Sequence, residues 1–302
     1  MFKITATIKS CFLLFLCCIG MSSFAQTAAE TPGTAEFKIS EVSFKSMGAA
    51  ISGTVYRPNK IYGAVVLVHG SGQEKRMGGL ATILANSGIA VLTYDKRGVG
   101  QSEGTYVGPE VGTNNIDSAN LNLLALDAVG AFSELSKYIP SRTPIGLMGF
   151  SQAAWVIPIA TAKNTKIDFM VLFSGPVATT LEQLRFQFYT EGNAKFWDTH
   201  SEADAREHIR TDPDKYQFAA TDPSKSLMQL SIPGLWLFGG RDVQAPVGLS
   251  VENLEMLKAK GKPYEFQIFP AFGHNTAFAK SKEPVNEAIK WIIALKQKGI
   301  GR

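Results

Sequence analysis

Two hydrophobic patterns follow one another along the chain. Phe37-Lys-Ile-Ser-Glu-Val-Ser-Phe44 and Ile51-Ser-Gly-Thr-Val-Tyr56 alternate apolar and polar residues with period two. That predicts two antiparallel strands with one face each in a core, joined by a turn over 46–49. The pattern then changes to short unbroken apolar runs at 64–68, 90–94, 145–148, 169–173 and 234–238, each bounded by Gly, Pro or Asp. Such runs predict strands buried on both faces. Helical stretches over 79–87, 117–138 and 152–162 alternate with them, and 264–269 supplies one more strand. Residues 283–296 close the pattern with a helical stripe of Val285, Ala288, Ile289, Ile292 and Leu295. The fold class is therefore α/β, a mostly parallel sheet with helices on both faces.

One segment breaks the alternation. More than fifty residues separate Ser174 from the strand at Gly234, far beyond an ordinary crossover. They carry Phe186, Phe188, Tyr189, Phe196, Trp197, Tyr216 and Phe218 among many charges. A small, mainly helical cap inserted over about 176–232 is the expected arrangement, its aromatics too many for a solvated face. A long surface helix pair with no role at a site is the plainer alternative.

Composition narrows the function classes. The 302 residues are 45% hydrophobic and 19% charged, as in a globular protein with a sizeable core. The formal net charge of +4 includes two lysines near the N-terminus, Lys3 and Lys9, and shows no basic cluster. So small a surplus excludes nucleic acid as the expected partner and gives no footprint for an anionic membrane.

Residues 1–25 have the make-up of a secretory signal peptide: Lys3 and Lys9, a short apolar run over 11–19, then Ser23-Phe24-Ala25 before the cleavage point after Ala25. The run is short for a membrane span, so no stable membrane association is expected. Residues 26–36 read as a flexible lead-in, and 37–302 as the folded domain with its cap. All three cysteines, Cys11, Cys17 and Cys18, lie in the leader. Cleavage leaves no thiol for a disulfide, a cysteine metal site or a cysteine nucleophile. With no Asn-x-Ser/Thr sequence present, a bacterial periplasmic or secreted protein is the expected setting.

The sharpest chemical signal is Leu147-Met-Gly149-Phe-Ser151-Gln-Ala153, placed between a buried strand and a helix. A serine on such a turn projects above the sheet, and its neighbours two positions away must be small. Gly149 meets that need, and Ala153 stands where a second glycine is usual. A serine needs a base, and the base an orienting acid. His200 and His208 lie in the cap among acids, where solvation is expected, and their spacing fits no common zinc motif, so no metal and no cofactor is assigned. His69 ends a buried strand in Leu67-Val-His-Gly-Ser-Gly72, and His274 lies in Phe272-Gly-His-Asn275 after the last strand. Asp242, in Phe238-Gly-Gly-Arg-Asp-Val-Gln-Ala-Pro246, supplies an acid just past another strand. Ser151, Asp242 and His274 thus follow the carboxyl ends of successive strands, where open parallel sheets place their sites.

The order Ser, Asp, His, the elbow, the His69-Gly-Ser-Gly72 turn and Asp95-Lys-Arg-Gly-Val-Gly-Gln-Ser-Glu-Gly104 together resemble the α/β-hydrolase superfamily, in particular its serine esterases with such HGSG and DKRGVGxSxG motifs. The resemblance covers about 37–297. It implies Ser151 as nucleophile, His274 as general base and Asp242 as its orienter. It further implies an oxyanion hole from the N–H groups of Gln152 and Ser71, with His69 structural and Asp95 and Arg97 tying down the Gly-rich turn. The activity so implied is hydrolysis of a small-molecule carboxylic ester, of short to medium acyl chain, through an acyl-enzyme. A peptidase or amidase of the same fold and a catalytically silent binding module are the alternatives.

Overall fold

The computed structural model describes residues 37–301, so the leader and lead-in expected over 1–36 lie outside the described residues. The period-two segments are strands β1 (Phe37–Ser46) and β2 (Ala49–Pro58), paired antiparallel. Met47 and Gly48 join them at φ of +44° and +80°. Two left-handed residues in succession give the two-residue turn whose twist suits a hairpin.

The unbroken apolar runs are the buried strands β3 (Gly63–Val68), β4 (Ile89–Tyr94), β5 (Ile145–Phe150), β6 (Met170–Phe173) and β7 (Gly234–Gly239), followed by the edge strand β8 (Tyr264–Phe269). The eight strands form one sheet in the order β1-β2-β4-β3-β5-β6-β7-β8. Strand β2 runs antiparallel to β1 and β4, and all other neighbours are parallel. Strand β3 pairs with β4 on one side and β5 on the other, so the direction of winding reverses between β3 and β5. Loops leaving the carboxyl ends of two such strands diverge to opposite faces and leave a crevice. The loop after β3 carries Ser71 and the turn after β5 carries Ser151, which is why residues eighty apart in sequence share one cleft.

Helices cover both faces. On one side lie α1 (Gly78–Asn86) and, from the end of the chain, the helix at Glu283–Gln297. On the other lie α2 (Ser118–Ser136) and α3 (Ala153–Lys163). Asp117 caps α2 by accepting from the Ala119 N–H at 2.8 Å, using its side chain where the first turn has no backbone partner. Among the described residues no helix is long and apolar enough to cross a membrane.

The cap is smaller than the expected 176–232. Helix α4 (Thr180–Thr190), a 3₁₀ turn (Phe196–Asp198) and α5 (Glu202–Thr211) share their own core around Phe186, Ala205 and Ile209. Both helices begin with a capping box, Thr179 with Glu182 and Ser201 with Asp204, which fixes helix starts the local hydrophobicity would not. The next helix, α6 (Pro223–Gln229), belongs to the body instead. Its Leu227 joins the main core, and the Tyr264 hydroxyl donates to the Leu227 carbonyl at 2.6 Å. Helix α7 (Val247–Ala259), unforeseen in the sequence pattern, carries the crossover from β7 to β8, and the closing helix is α8 (Glu283–Gln297).

The Gly-rich turn after β4 is tied down as its acid and base suggested. Asp95 accepts from the Arg76 and Gln101 N–H groups at 3.1 and 2.9 Å. Arg97 forms a bidentate pair with fully buried Asp127 on α2, and donates to the Ser46 carbonyl at 2.9 Å. Burial pushes the Asp127 carboxyl up, against the pull of Arg97. Removing one partner would strand the other charge in the core. Asp127→Ala is therefore expected to cost about 3–5 kcal/mol, read as a lowered denaturation midpoint. A midpoint equal to that of the parent would show that Arg97 finds solvent or another acid.

Candidate active site

Ser151 occupies the turn between β5 and α3 at φ +51°. A left-handed non-glycine residue is strained and needs surroundings that hold it. Its N–H donates to the Phe173 carbonyl of β6 at 3.0 Å, and its carbonyl accepts from Ala154 at 3.0 Å. Gly149 explains how Ala153 is tolerated: a Cβ there would meet the Ala153 methyl at 2.5 Å and the Val68 carbonyl at 2.7 Å. One methyl fits this crossing, and it belongs to residue 153.

Asp242 and His274 are brought together. Asp242 Oδ2 accepts from His274 Nδ1 at 2.8 Å, while Oδ1 accepts the N–H groups of Gln244 and Ala245 at 2.7 and 2.9 Å. With its carboxylate filled this way, Asp242 holds the Nδ1–H tautomer, and Nε2 is left as the basic atom. The base loop is anchored to the elbow and its neighbours. Phe278 packs edge-on against Phe150 with centroids 4.8 Å apart, and the Thr276 and Ser174 hydroxyls bond at 2.8 Å. Ser151 Oγ has no hydrogen-bond partner among the described residues; bonds of this kind commonly close only in the substrate complex.

The remaining histidines lie away from the serine. His69 is structural, as expected: it is buried, with Nε2 on the Tyr94 carbonyl at 2.7 Å, and burial holds it neutral by pushing its pKa down to about 3. His200 and His208 are half-exposed, as their place among acids suggested, and His208 Nδ1 bonds to the Asp212 carboxylate at 3.0 Å. They stack on Phe196 and Tyr189 at 4.3 and 3.6 Å within the cap.

The two residues expected to supply oxyanion donors line the same cleft as the serine, a space of about 540 Å³. Neither the Gln152 N–H nor the Ser71 N–H has a partner among the described residues. Backbone donors in native structures are almost always paired, so two free ones lining the cleft of a left-handed serine are available to an oxygen bound there.

Sequence reading missed what holds this hole. Lys96, 2% exposed, donates to the Gly70 carbonyl at 2.7 Å, to the Ser71 and Gly72 carbonyls at 3.2 and 3.3 Å, and to Gln152 Oε1 at 3.1 Å. Asn115 Nδ2 also donates to the Ser71 carbonyl at 2.9 Å, and the Tyr106 hydroxyl, which donates to Glu110 Oε2 at 2.6 Å, lies 3.1 Å from the same carbonyl. Gln152 Nε2 in turn reaches the Asn115 carbonyl at 2.7 Å. Burial pushes the Lys96 ammonium down to about 8, against the attraction of Glu74 and Glu110. The cap is fastened to the acid loop in the same manner. Trp197 Nε1, the Thr190 hydroxyl and Gln183 Nε2 donate to the consecutive carbonyls of Asp242, Val243 and Gln244 at 2.8, 2.6 and 3.0 Å.

Of the cap aromatics, Phe186 and Phe196 are buried in the cap's own core, with Trp197 stacked on Phe186. Phe188 and Tyr216 line the cleft. No cluster of three or more His, Cys, Asp or Glu side chains among the described residues could hold a metal ion.

Known proteins share this fold. Among solved structures, the chain resembles the acylaminoacyl peptidase of Pyrococcus horikoshii (16% identity, TM-score 0.61), spanning 88% of this chain and only 42% of that one. It also resembles an esterase of Pyrococcus furiosus (17% identity, TM-score 0.61, 88% of this chain and 92% of that one). A third likeness is to the α/β hydrolase GrgF of a Penicillium species (17% identity, TM-score 0.57, 84% and 98%). At these identities the likeness is one of fold. No curated protein matches the chain in sequence. The model of the hydrolase family described as serine aminopeptidase, S33, matches residues 59–224, a stretch that includes Ser71 and Ser151 and ends before Asp242. That stretch is more than half of the chain, and the chain accordingly belongs to this serine hydrolase family of the α/β-hydrolase superfamily.

Proposed function

We propose that the protein is an exported serine hydrolase that cleaves carboxylic esters of short to medium acyl chain through an acyl-enzyme. The observation that carries this reading is Ser151 at φ +51° in one cleft with Ser71 and Gln152, whose N–H groups are unpaired among the described residues. In the proposed cycle Ser151 Oγ attacks the ester carbonyl as its proton passes to His274 Nε2. The two N–H groups hold the resulting oxyanion. Collapse breaks the bond to the alcohol oxygen, which leaves with the proton from His274. Water, deprotonated by the same nitrogen, then releases the acid and restores Ser151.

The family description favours a second reading, an aminopeptidase. Such an enzyme must neutralise the ammonium of a peptide N-terminus, and no acidic side chain lines the cleft. Unpaired charge in a neutral cleft is costly. Ester hydrolysis makes no such demand. The short apolar surfaces of Ile116 and Leu184 in the cleft support a modest acyl group. Export rests on residues 1–25 as a sequence signal.

A nitrophenyl ester series of increasing acyl length, run beside aminoacyl anilides, tests the reaction class. Turnover is expected on acetate to hexanoate and none on the anilides. A phosphonate that traps activated serines is expected to add once, on the peptide containing Ser151, and the intact mass to begin at Gln26. Anilide turnover at ester-like rates, or an adduct on another serine, would overturn the assignment.

A further inference from the structure

The cleft that holds Ser151 is polar in an unusual way: it is lined by carboxamides and by no charged side chain. Gln152 has both ends of its amide bonded, and two further amides are fixed by their nitrogen alone. Asn115, 8% exposed, spends its nitrogen on the Ser71 carbonyl, and Gln183, 5% exposed, spends its nitrogen on the Gln244 carbonyl. Both partners can only accept, so the identity of each nitrogen is settled by its partner and the amide oxygen is what remains. Neither oxygen has a partner among the described residues, and neither is among the side-chain atoms sealed from solvent without one. The cleft therefore presents two immobilised acceptors. Gln187 and Gln244 add amides with no side-chain partner among the described residues, each a donor and an acceptor. At the mouth Tyr216, 49% exposed, leans on Phe188 with ring centroids 5.8 Å apart.

Resting on the ester reading above, we infer that the alcohol part of the natural ester is a neutral, polyhydroxylated ring, a sugar or cyclic polyol. An alkyl alcohol would cover both fixed oxygens without offering a donor, at a cost of about tenfold or more for each. A charged alcohol would meet no counter-charge. A hydroxyl is donor and acceptor at once, as the mixed amides Gln187 and Gln244 require, and several on one ring can meet several amides together. The apolar face of such a ring, made of C–H groups, suits the Tyr216 and Phe188 platform.

The test compares two acetates with the same primary leaving oxygen: methyl 6-O-acetyl-glucoside and cyclohexylmethyl acetate, which lacks the ring hydroxyls. The parent enzyme is expected to show kcat/KM at least about tenfold higher on the sugar ester, since a site built for hydroxyls rejects the analogue without them. Gln183→Leu removes one fixed acceptor, and Gln187→Ala removes an amide that holds nothing else in the protein. Each is expected to narrow the preference to within about threefold, mainly through KM on the sugar ester. Equal or better hydrolysis of cyclohexylmethyl acetate by the parent would overturn the inference and leave the esterase standing. A sugar preference that neither variant narrows would remove hydroxyl recognition from this cleft. Hydrolysis of neither acetate would overturn the inference together with the ester reading on which it rests.

Discussion

Ser151→Ala and His274→Ala are each expected to lower kcat on a nitrophenyl ester by about 10⁴-fold or more, with the double variant little worse than either alone. Nucleophile and base act as a unit, so once one is gone the other has nothing to do. Asp242→Asn should approach the same loss. Its carboxylate accepts from His274 Nδ1 and from two backbone N–H groups, and an asparagine oxygen on those N–H groups would turn an NH₂ toward the imidazole, favouring the wrong tautomer. Ser151→Ala removes one oxygen without a partner among the described residues and keeps the Cβ, hence the same left-handed strain, so its denaturation midpoint should match the parent's. Additive losses in the double variant, or a near-normal rate for Ser151→Ala, would place the chemistry on another residue. The residual activity of all three should stay above the rate in water, since the free N–H groups of Ser71 and Gln152 are untouched.

Much of this arrangement is legible in the sequence because strands buried on both faces leave an unmistakable mark. The runs at β3 to β7 have no polar face to confuse with a helix, and a parallel sheet sets the loop after each run at one edge. Ser71, Ser151 and Asp242 lie just past such strands and His274 just past the edge strand β8, so pattern alone brings them to one end of the sheet. Helix α7 escaped because Gly248, Ser250 and Asn253 interrupt its apolar positions, and its burial rests on Ser250, Leu254 and Leu257 packed on the body. The cap aromatics were visible as a surplus but not by direction. Within α4, positions 183, 184, 187 and 188 turn to the cleft and 186 to the cap's core, a division set by which face the capping box at Thr179 presents to the body. Phe186 and Trp197 are thus supports of the cap, and Phe188 and Tyr216 the residues that meet a ligand. The carboxamides of the cleft gave no signal at all, since a lone Asn or Gln is commonplace on any surface.

Lys96 is the clearest case of a residue hidden by its neighbours. Between Asp95 and Arg97 it reads as one more charge of a surface turn, yet its ammonium is wrapped by three successive carbonyls and Gln152 Oε1. In a trans peptide the C=O and N–H point opposite ways. An ammonium on the Gly70 carbonyl therefore aims the Ser71 N–H away from itself and polarises that peptide in favour of an anion. Its bond to the Gln152 side chain fixes the residue that carries the other donor. Losing a direct oxyanion donor costs about 10²–10³ in kcat, and losing the group that aims one should cost somewhat less. Lys96→Met is expected to lower kcat about 10- to 100-fold with little change in KM. Stability should fall modestly, because the desolvation that pushes this ammonium down to about 8 disappears with the charge while the Gly70 carbonyl and Gln152 Oε1 lose a donor. The pH profile separates this role from a merely structural one. Glu74 and Glu110 face the ammonium as anions, the Tyr106 ring lies 5.6 Å away, and His69 is held neutral by burial, so Lys96 is the group on this loop that changes charge near neutrality. Below about 8 it is charged and the hole is set; above it, one proton and the field on the Ser71 peptide are lost. The parent kcat should accordingly fall on an alkaline limb near pH 8, and that limb should be absent in Lys96→Met. An unchanged limb in the variant, or a kcat equal to the parent's, would reduce Lys96 to a packing residue.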